Sequence, residues 1–271
     1  MNITFIGGGN MATAMIGGLL KNGWAPETIF VVDVEEAARV RLARELKVKV
    51  APALDALSAT AECIVFAVKP QQIQDCARAL YRFLGSQLVL SIAAGIRLDD
   101  LSRWLGNYPK IVRVMPNTPA LERAGLSALC AMPAVSDDDR ARAEEIMRAV
   151  GTTLWVDDER RMDAVTAVSG SGPAYVFYFM EALEQAALEL GFPAADAQRL
   201  ALATFGGAVK LAQSSTDDVA TLRARVTSRG GTTERALMAL DRDDVRGAIL
   251  RAVRAAEERS RELGVELGRD G

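Results

Sequence analysis

A glycine-rich segment near the start of the chain constrains the fold more than any other feature. An apolar run typical of a buried strand, residues 2–6, leads directly into the spacing Gly7-x-Gly9-x-x-Ala12 and a helix-compatible run. In this pattern the first glycine allows a tight turn, the second lets backbone approach a pyrophosphate, and the small third residue keeps the helix close to the sheet. The segment therefore predicts a dinucleotide-binding loop, although a purely structural glycine turn would have the same spacing.

Strand-like and helix-like patterns alternate from Met1 to about Asp158, which predicts an α/β fold with a doubly wound, mostly parallel sheet. The apolar run at 63–68 lacks polar alternation, as expected for a strand covered on both faces. After Asp158 only helical patterns follow, the longest at 162–191. We therefore expect a Rossmann-like dinucleotide-binding domain at residues 1–158 and an all-helical domain at residues 159–271.

The predicted helical domain carries more apolar surface than one helix face can bury. Phe177, Tyr178, Phe179 and Met180 are consecutive, so they point to different sides of their helix. Two interpretations follow from this pattern. The helix lies at the centre of a monomeric bundle, or it forms an intertwined homodimer interface.

Composition excludes several functional classes. A net charge of −3 argues against nucleic-acid and anionic-membrane surfaces. The sequence has no histidine, which excludes Ser-His-Asp and Cys-His catalysis and histidine metal sites. Cys63, Cys76 and Cys130 show no zinc spacing, so we predict no metal and expect buried free thiols. With no leader-like start and no apolar run of about 20 residues, the expected location is the cytoplasm.

The end of the second predicted strand carries charged residues that bear on the cofactor. Ligands of open α/β sheets bind outside the carboxyl ends of the strands. Asp33 could accept a hydrogen bond from a ribose 2′-hydroxyl, which favours NAD, or it could simply cap a helix. Arg39 and Arg41 lie just downstream and could instead meet the 2′-phosphate of NADP.

Three later strand ends also carry distinctive residues. Lys69, in Ala67-Val68-Lys69-Pro70, could approach cofactor phosphates or ribose, or be an ordinary solvated lysine. Ala93 and Ala94 are small enough for a flat ring to lie against backbone, although tight packing alone would explain them. Asn117 stands where the nicotinamide would end, and a rigid turn is the alternative there.

Two glycine-containing stretches interrupt the helical pattern of the second domain. Residues 169–175 contain two glycines and a proline, which cost about 1 and about 3 kcal/mol each in a helix interior. A functional site or a close backbone contact is therefore expected there. The polar groups of residues 226–234 could hold a small carboxylate, with a threonine N-cap as the alternative. These groups are the N–H groups of Gly231 and Thr232 and the hydroxyls of Ser228 and Thr233.

The chain resembles the pyrroline-5-carboxylate reductases over nearly its whole length. The resemblance implies reduction of 1-pyrroline-5-carboxylate to L-proline, the last step of proline biosynthesis, by hydride transfer from NADPH or NADH. It also implies a homodimer formed through interlocked helical domains, often building to a homodecamer. The motifs that carry it are Phe5-Ile6-Gly7-Gly8-Gly9-Asn10-Met11-Ala12, Ala67-Val68-Lys69-Pro70-Gln71, Val112-Arg113-Val114-Met115-Pro116-Asn117-Thr118-Pro119, Ser169-Gly170-Ser171-Gly172-Pro173-Ala174-Tyr175 and Val226-Thr227-Ser228-Arg229-Gly230-Gly231-Thr232-Thr233.

Site residues follow from the resemblance by position. Thr233 would be catalytic, because its hydroxyl would hydrogen-bond the ring nitrogen and support protonation. The residues implied to bind the substrate are Ser228, Gly230, Gly231, Thr232 and Thr233. Those implied to line the cofactor are Ile6, Gly7, Gly8, Gly9, Asn10, Met11, Val68, Lys69, Pro70 and Ala94, to which the strand ends add Asp33, Ala67, Ala93 and Asn117.

The sequence departs from the family pattern in two places, and two other functions remain as alternatives. Arg229 replaces a proline that many members have, which questions the stiffness of its loop, and Asp33 differs from the Ser, Asn or Arg of NADP-preferring members. A β-hydroxyacid dehydrogenase would need a lysine at the position of Val176. A non-enzymatic NAD(H)-sensing dimer would explain the glycine loop but not the hydroxyls around Thr233.

Overall fold

The computed structural model describes residues 1–55 and 60–269. Packing divides the chain into two compact units. The first comprises Met1–Ser171 together with the chain from Ala256 onward, and the second is Gly172–Ala255. The domain boundary after residue 158 was drawn from a change in sequence pattern rather than from packing, and it stays a prediction.

The first unit is built on one sheet of eight strands, and its order is β3-β2-β1-β4-β5-β6-β7-β8. All neighbouring strands are parallel except β6 and β7. The predicted doubly wound, mostly parallel sheet is therefore confirmed. The strands are β1 Ile3–Ile6, β2 Ile29–Val32, β3 Lys49–Ala51, β4 Cys63–Phe66, β5 Leu88–Ser91, β6 Ile111–Met115, β7 Gly125–Ala131 and β8 Gly151–Trp155.

Successive residues of the central strands enter two different hydrophobic clusters. In β4, Cys63 and Val65 belong to one cluster, while Ile64 and Phe66 belong to the other. All four side chains are buried. Because both faces of the sheet are covered there, β4 is an uninterrupted apolar run.

Helices of the first unit connect these strands. Helix α5 shows how one of them begins: Ser136 Oγ accepts a hydrogen bond from the Asp139 N–H at 3.2 Å, and acidic residues fill the first turn. Both features stabilise a helix N-terminus. The helices are α1 Asn10–Lys21, α2 Glu36–Glu45, α3 Ile73–Leu80, α4 Leu98–Trp104, α5 Asp137–Arg148 and α6 Arg161–Val165.

The second unit consists of helices, and all of its residues are described. It contains no strand, so the prediction of an all-helical part of the chain is confirmed. Helices α7 and α8 pack against each other. The helices are α7 Gly172–Glu189, α8 Ala194–Ser214, α9 Val219–Arg225, α10 Thr232–Arg242 and α11 Val245–Leu267, whose last part belongs to the first unit.

The long helix predicted at 162–191 is interrupted in the structure. After α6 the chain forms a π-helical turn, Thr166–Gly170, and a new helix begins at Gly172. Pro173 therefore lies in the first turn of α7, where its missing N–H costs no hydrogen bond. The glycines and the proline thus mark a boundary between helices, which the periodicity alone concealed.

Helix α7 exposes aromatic side chains in the single chain. Phe177 is 64% exposed and Tyr178 is 70% exposed. Helix α7 is therefore not the covered centre of a monomeric bundle, and that interpretation is wrong. Among the described helices, none combines the length and the apolar composition that crossing a bilayer requires.

Candidate active site

The glycine loop after β1 follows the backbone of the neighbouring strands closely. The Gly7 N–H donates to the Val32 carbonyl at 2.7 Å, and Gly7 has a φ of 102°. A Cβ atom at this position would lie 2.7 Å from the Ala67 carbonyl oxygen. Only glycine adopts this conformation and fits this contact without strain, as the sequence pattern predicted.

Helix α1 presents its N-terminus next to this loop. Gly9 is the N-cap residue, and a Cβ atom built there would meet no atom within 4 Å. The amides of the first turn have no acceptor within the helix, and they carry the positive end of the helix dipole. An open backbone beside such amides fits a pyrophosphate, so the loop meets the requirement of a dinucleotide site.

Asp33 holds the glycine loop in place. Its Oδ2 accepts a hydrogen bond from the Gly8 N–H at 2.6 Å, and its Oδ1 accepts one from the Glu35 N–H at 2.8 Å. Both carboxylate oxygens therefore have backbone partners, which gives Asp33 a structural role beyond helix capping. Its predicted contact with a ribose hydroxyl stays a prediction.

The two arginines after β2 have different anchors. Arg39 donates from its Nη1 to the carbonyls of Asp33 and Val34 at 2.7 and 2.8 Å. Arg41 donates from its Nη2 to the Gly8 carbonyl at 3.2 Å. Arg39 is therefore anchored at the end of β2 and Arg41 at the glycine loop, and contact of either with a 2′-phosphate stays a prediction.

The carboxyl ends of four neighbouring strands bring the predicted cofactor residues together. Ile6 pairs with Val32 on one side and with Phe66 on the other, and Phe66 pairs with Ser91. The segments that follow these residues therefore share one edge of the sheet. This edge gathers Gly7, Gly8, Gly9, Asn10, Met11, Asp33, Ala67, Val68, Lys69, Pro70, Ala93 and Ala94.

Within this group the side chains differ in accessibility. Lys69 is exposed and precedes a single turn of 3-10 helix, Pro70–Gln72, so its ammonium group is available to a ligand. Ala93 is buried, whereas Ala94 is exposed. Tight packing therefore accounts for Ala93, whereas the predicted contact of Ala94 with a cofactor ring stays a prediction.

Asn117, beyond the end of β6, uses its side-chain amide internally. Its Oδ1 accepts a hydrogen bond from the Leu126 N–H at 2.9 Å. Its Nδ2 donates to Ser169, at 3.3 Å to the carbonyl and 3.2 Å to Oγ. The side chain thus links the loop after β6 to the π-helical turn, and its contact with a nicotinamide stays a prediction.

The π-helical turn makes the close backbone contact that its glycines predicted. A Cβ atom at Gly170 would lie 2.6 Å from the terminal methyl of Met115. The turn therefore packs directly against the end of β6. π-helical turns are rare and concentrate at functional sites, but a role of this segment in the site stays a prediction.

An ion pair between a buried arginine and a half-buried glutamate lies at the start of α4, and it was not predicted from the sequence. Arg113 Nη1 donates to Glu159 Oε1 at 2.9 Å, and the Arg113 side chain is only 6% exposed. The same oxygen accepts a hydrogen bond from the Leu98 N–H at 2.8 Å. An arginine within the apolar strand Ile111–Met115 was the available signal, because a buried charge needs a partner.

The cysteines take no part in the site. All three are free, Cys63 and Cys130 are buried, and Cys76 is half-buried. Burial raises the pKa of the Cys63 and Cys76 thiols above the ordinary value and that of Cys130 to about 11. All three thiols are therefore protonated near neutral pH. The expectation of buried free thiols is confirmed for two of them and only partly for Cys76.

In the second unit, the N-terminus of α10 corresponds to the N-terminus of α1 in the first unit, because both present backbone amides at a helix end. The Gly231 N–H donates to the Ser228 carbonyl at 3.0 Å, which closes a turn through Gly230. The amides of Thr232 and Thr233 belong to the first helical turn, where no helical acceptor exists. Gly231 was expected to offer its N–H to a carboxylate, but the structure assigns that group to the turn.

Two hydroxyl groups accompany these amides. Ser228 is exposed and Thr233 is half-buried, and within the described residues neither hydroxyl has a hydrogen-bond partner. A Cβ atom at Gly231 would lie 2.5 Å from Ser228 Oγ, so the serine hydroxyl lies directly beside the helix N-terminus. Amide and hydroxyl donors together can bind a small carboxylate.

The sheet, its glycine loop and its gathered strand ends define a dinucleotide-binding oxidoreductase of the Rossmann class. The pyrroline-5-carboxylate reductase of Pseudomonas aeruginosa is 43% identical to this chain over 267 residues, which cover 98% of each protein. The chain belongs to the pyrroline-5-carboxylate reductase family.

Further comparisons agree with this assignment. The family model described as pyrroline-5-carboxylate reductase dimerisation matches residues 159–263, and one described as NADP oxidoreductase, coenzyme F420-dependent, matches residues 2–95. The structure of a pyrroline-5-carboxylate reductase from Coxiella burnetii has a TM-score of 0.91 and 41% identity, covering 97% of this chain and 98% of that one. A Plasmodium falciparum pyrroline carboxylate reductase with NADP bound has a TM-score of 0.86 and 29% identity, with the same coverage.

Proposed function

We propose that this protein reduces 1-pyrroline-5-carboxylate to L-proline with NADPH or NADH, the last step of proline biosynthesis. The observation that carries the proposal is the similarity to pyrroline-5-carboxylate reductases over 98% of the chain, which includes both helix N-termini described above. The nicotinamide cofactor supplies the hydride when bound. Every other requirement of the reaction must be met by residues of this chain.

The cofactor site is proposed at the carboxyl edge of the sheet. The N–H groups at the start of α1 would bind the pyrophosphate. Ala94 would offer a flat surface to a ring, and Lys69 would reach a phosphate or ribose. The remaining proposed members are Ile6, Gly7, Gly8, Gly9, Asn10, Met11, Asp33, Ala67, Val68, Pro70, Ala93 and Asn117.

The substrate carboxylate is proposed to bind at the N-terminus of α10. Thr232 and Thr233 offer free backbone amides, and the Ser228 hydroxyl lies beside them. Gly230 and Gly231 contribute by shaping the turn rather than by donating, because both of their amides already have acceptors. The positive end of the helix dipole favours the negative charge of the carboxylate.

Thr233 is the proposed catalytic residue. Its hydroxyl would hydrogen-bond the ring nitrogen of the imine and support protonation there. An imine nitrogen is basic, so the reaction needs no strong general acid, and a chain without histidine can meet the requirement. Positioning and hydroxyl donors are then the main contributions of the protein.

Self-association through the helical part of the chain follows from the match to a dimerisation model at residues 159–263. We propose that the exposed aromatic face of α7 forms part of this interface. Assembly of dimers to a decamer, which the family resemblance implies, and the cytoplasmic location expected from the sequence are further parts of the proposal.

Turnover of the purified protein tests the proposed function. With 1-pyrroline-5-carboxylate, absorbance of the reduced cofactor is expected to fall, and NADPH and NADH are compared side by side. A protein that oxidises 3-hydroxyacids and leaves the imine unchanged would be a β-hydroxyacid dehydrogenase. One that binds reduced cofactor without any turnover would be a sensor. The absence of lysine between Val156 and Val209 argues against the first alternative.

A further inference from the structure

An unusual hydrogen bond joins the first turn of α10 to the loop before it. Glu234 is the third helical residue, and its Oε2 accepts a hydrogen bond from the Gly230 N–H at 2.7 Å. An acidic residue at this position ordinarily reaches back to the amide of the N-cap residue. Here the N-cap amide of Gly231 is already bonded to the Ser228 carbonyl, so the carboxylate reaches one residue further.

The loop that Glu234 holds is a β-turn of type II. Ser228 accepts a hydrogen bond from the residue three positions later, and Gly230, at the third position, has a φ of 74°. Proline is common at the second position of this turn because its ring fixes φ near the required value. Arg229 occupies that position, is exposed, and has no hydrogen bond or ion pair within the described residues. Arg229 has no ring that would fix its φ, and its side chain makes no polar contact in the described chain that would restrain the turn.

The turn determines where the donors of the proposed substrate site lie. Ser228 is its first residue, and Gly231, its last, is the N-cap of α10. Opening of this turn, which is centred on the peptide between Arg229 and Gly230, would move Ser228 Oγ away from the helix amides. The Glu234 carboxylate bonds to the N–H of that same peptide, and a charge-assisted hydrogen bond is about twice as strong as a neutral one.

We propose that Glu234 is a positioning residue that locks the Ser228–Gly231 turn and so preorganises the substrate-carboxylate site. The proposal rests on the proposed function, because that function defines the ligand. Glu234 replaces the restraint that a proline at position 229 would supply. Its role is exerted through the turn, and it makes no contact with the substrate.

If the role of Glu234 were purely electrostatic, its removal would change KM in the opposite direction. The negative charge of Glu234 repels a substrate carboxylate at the same helix end, so charge alone would make its removal lower KM. A positioning role makes removal raise KM and leaves kcat nearly unchanged, because the carboxylate contact is made equally in the ground state and the transition state. The direction of the change in KM therefore separates the two.

Steady-state kinetics of five proteins test the proposal. We expect Glu234→Ala to raise KM for the imine about fivefold, which corresponds to the typical loss of one helix cap. Glu234→Gln retains an acceptor oxygen and should stay within about twofold of wild type. Arg229→Pro added to Glu234→Ala should restore KM, because proline fixes the turn independently. The wild type and the control variant Asp218→Ala complete the set. Asp218→Ala removes a comparable hydrogen bond at another helix N-terminus, where Asp218 Oδ1 accepts from the Thr221 N–H at 2.7 Å.

The control variant and the wild type distinguish the ways in which the proposal could fail. Asp218→Ala should leave KM unchanged, and an equal rise in KM there would make the effect one of general stability and overturn the proposal. A fall in KM, or no change, in Glu234→Ala would also overturn it, as would a failure of Arg229→Pro to rescue. If the wild-type protein does not reduce the imine, the proposed function itself falls, and the proposal falls with it.

Discussion

At the scale of single residues, hydrogen bonds distinguish the polar side chains that stabilise the fold from those that remain available to a ligand. Asp33 has both carboxylate oxygens on backbone amides, so it shapes the glycine loop. Ser228 and Thr233, in contrast, leave their hydroxyls without partners in the described chain. A polar group that has no partner in the fold remains available for a ligand, which supports the proposal that Ser228 and Thr233 contact the substrate.

Thr233→Ala is predicted to lower kcat for imine reduction about 100-fold, the lower end of the usual range for a group that assists proton transfer. The effect is modest because the imine nitrogen is itself basic. Thr233→Ser keeps a hydroxyl and should retain most of the activity. Cofactor affinity, measured by the fluorescence of bound NADPH, should be unchanged in both variants. Wild-type kcat in Thr233→Ala would remove this residue from the mechanism.

Arg39 and Arg41 are predicted to affect the two cofactors differently. Arg39→Ala removes a guanidinium from the end of β2 and should raise KM for NADPH about tenfold while leaving KM for NADH unchanged. Arg41→Ala loosens the glycine loop and should raise both values alike. Arg44, which is on the same helix and is 74% exposed, provides the control. Equal effects of Arg39→Ala on both cofactors would contradict the placement of a 2′-phosphate there.

At the scale of elements, the structure joins segments that are distant in sequence. Arg113 of β6 pairs with Glu159 before α6, and Glu159 also binds the backbone at the start of α4. The end of α11 joins the same region, since Ser260 Oγ donates to Asp163 Oδ1 at 2.7 Å. These contacts fix the elements beneath the sheet edge that carries the proposed cofactor site.

Arg113→Met is predicted to lower the free energy of unfolding by about 2 kcal/mol, because the half-buried Glu159 loses a charge-assisted hydrogen bond but keeps the one from the Leu98 N–H. Glu159→Gln should cost less, since the amide oxygen still accepts hydrogen bonds. The double variant should cost less than the sum of the single ones, because the two residues share one interaction. Denaturant unfolding monitored by circular dichroism measures all three. Additive losses would show that the ion pair contributes nothing of its own.

The elements that could be predicted from the sequence are those specified by patterns of neighbouring residues. Apolar runs and glycine spacing depend on neighbouring residues, so the strand–loop–helix unit around Gly7 and the turn before α10 were predictable. The Arg113–Glu159 pair joins residues 46 positions apart, and no local pattern encodes such a contact. The π-helical turn was hidden for another reason: α6, the turn and α7 share one apolar periodicity, and only the glycines and Pro173 signalled the interruption.

At the scale of the whole molecule, the chain leaves apolar surface that it cannot cover by itself. Exposed large hydrophobic side chains concentrate in the second unit, with Phe177 and Tyr178 among the most exposed aromatic residues. Such patches on a protein mark interaction surfaces, and here a dimerisation family model matches the region. Self-association therefore covers surface that a monomer would expose to water.

Phe177→Glu is predicted to shift the protein from dimers or larger assemblies toward monomers in analytical ultracentrifugation. A buried carboxylate at an apolar interface is costly, so dissociation should be evident at micromolar concentrations. Val34→Glu, at a side chain of the first unit that is 75% exposed, is the matched control and should leave the assembly intact. Unchanged association of Phe177→Glu would exclude this face of α7 from the interface.

Isotope transfer shows whether a hydride passes from a nicotinamide to the imine carbon of 1-pyrroline-5-carboxylate. The protein is incubated with the imine and with NADPH deuterated at both positions of nicotinamide C4, and the product is analysed by mass spectrometry. Direct hydride transfer predicts L-proline carrying a single deuterium at C5. Unlabelled proline, or the absence of proline while the cofactor remains reduced, would contradict it.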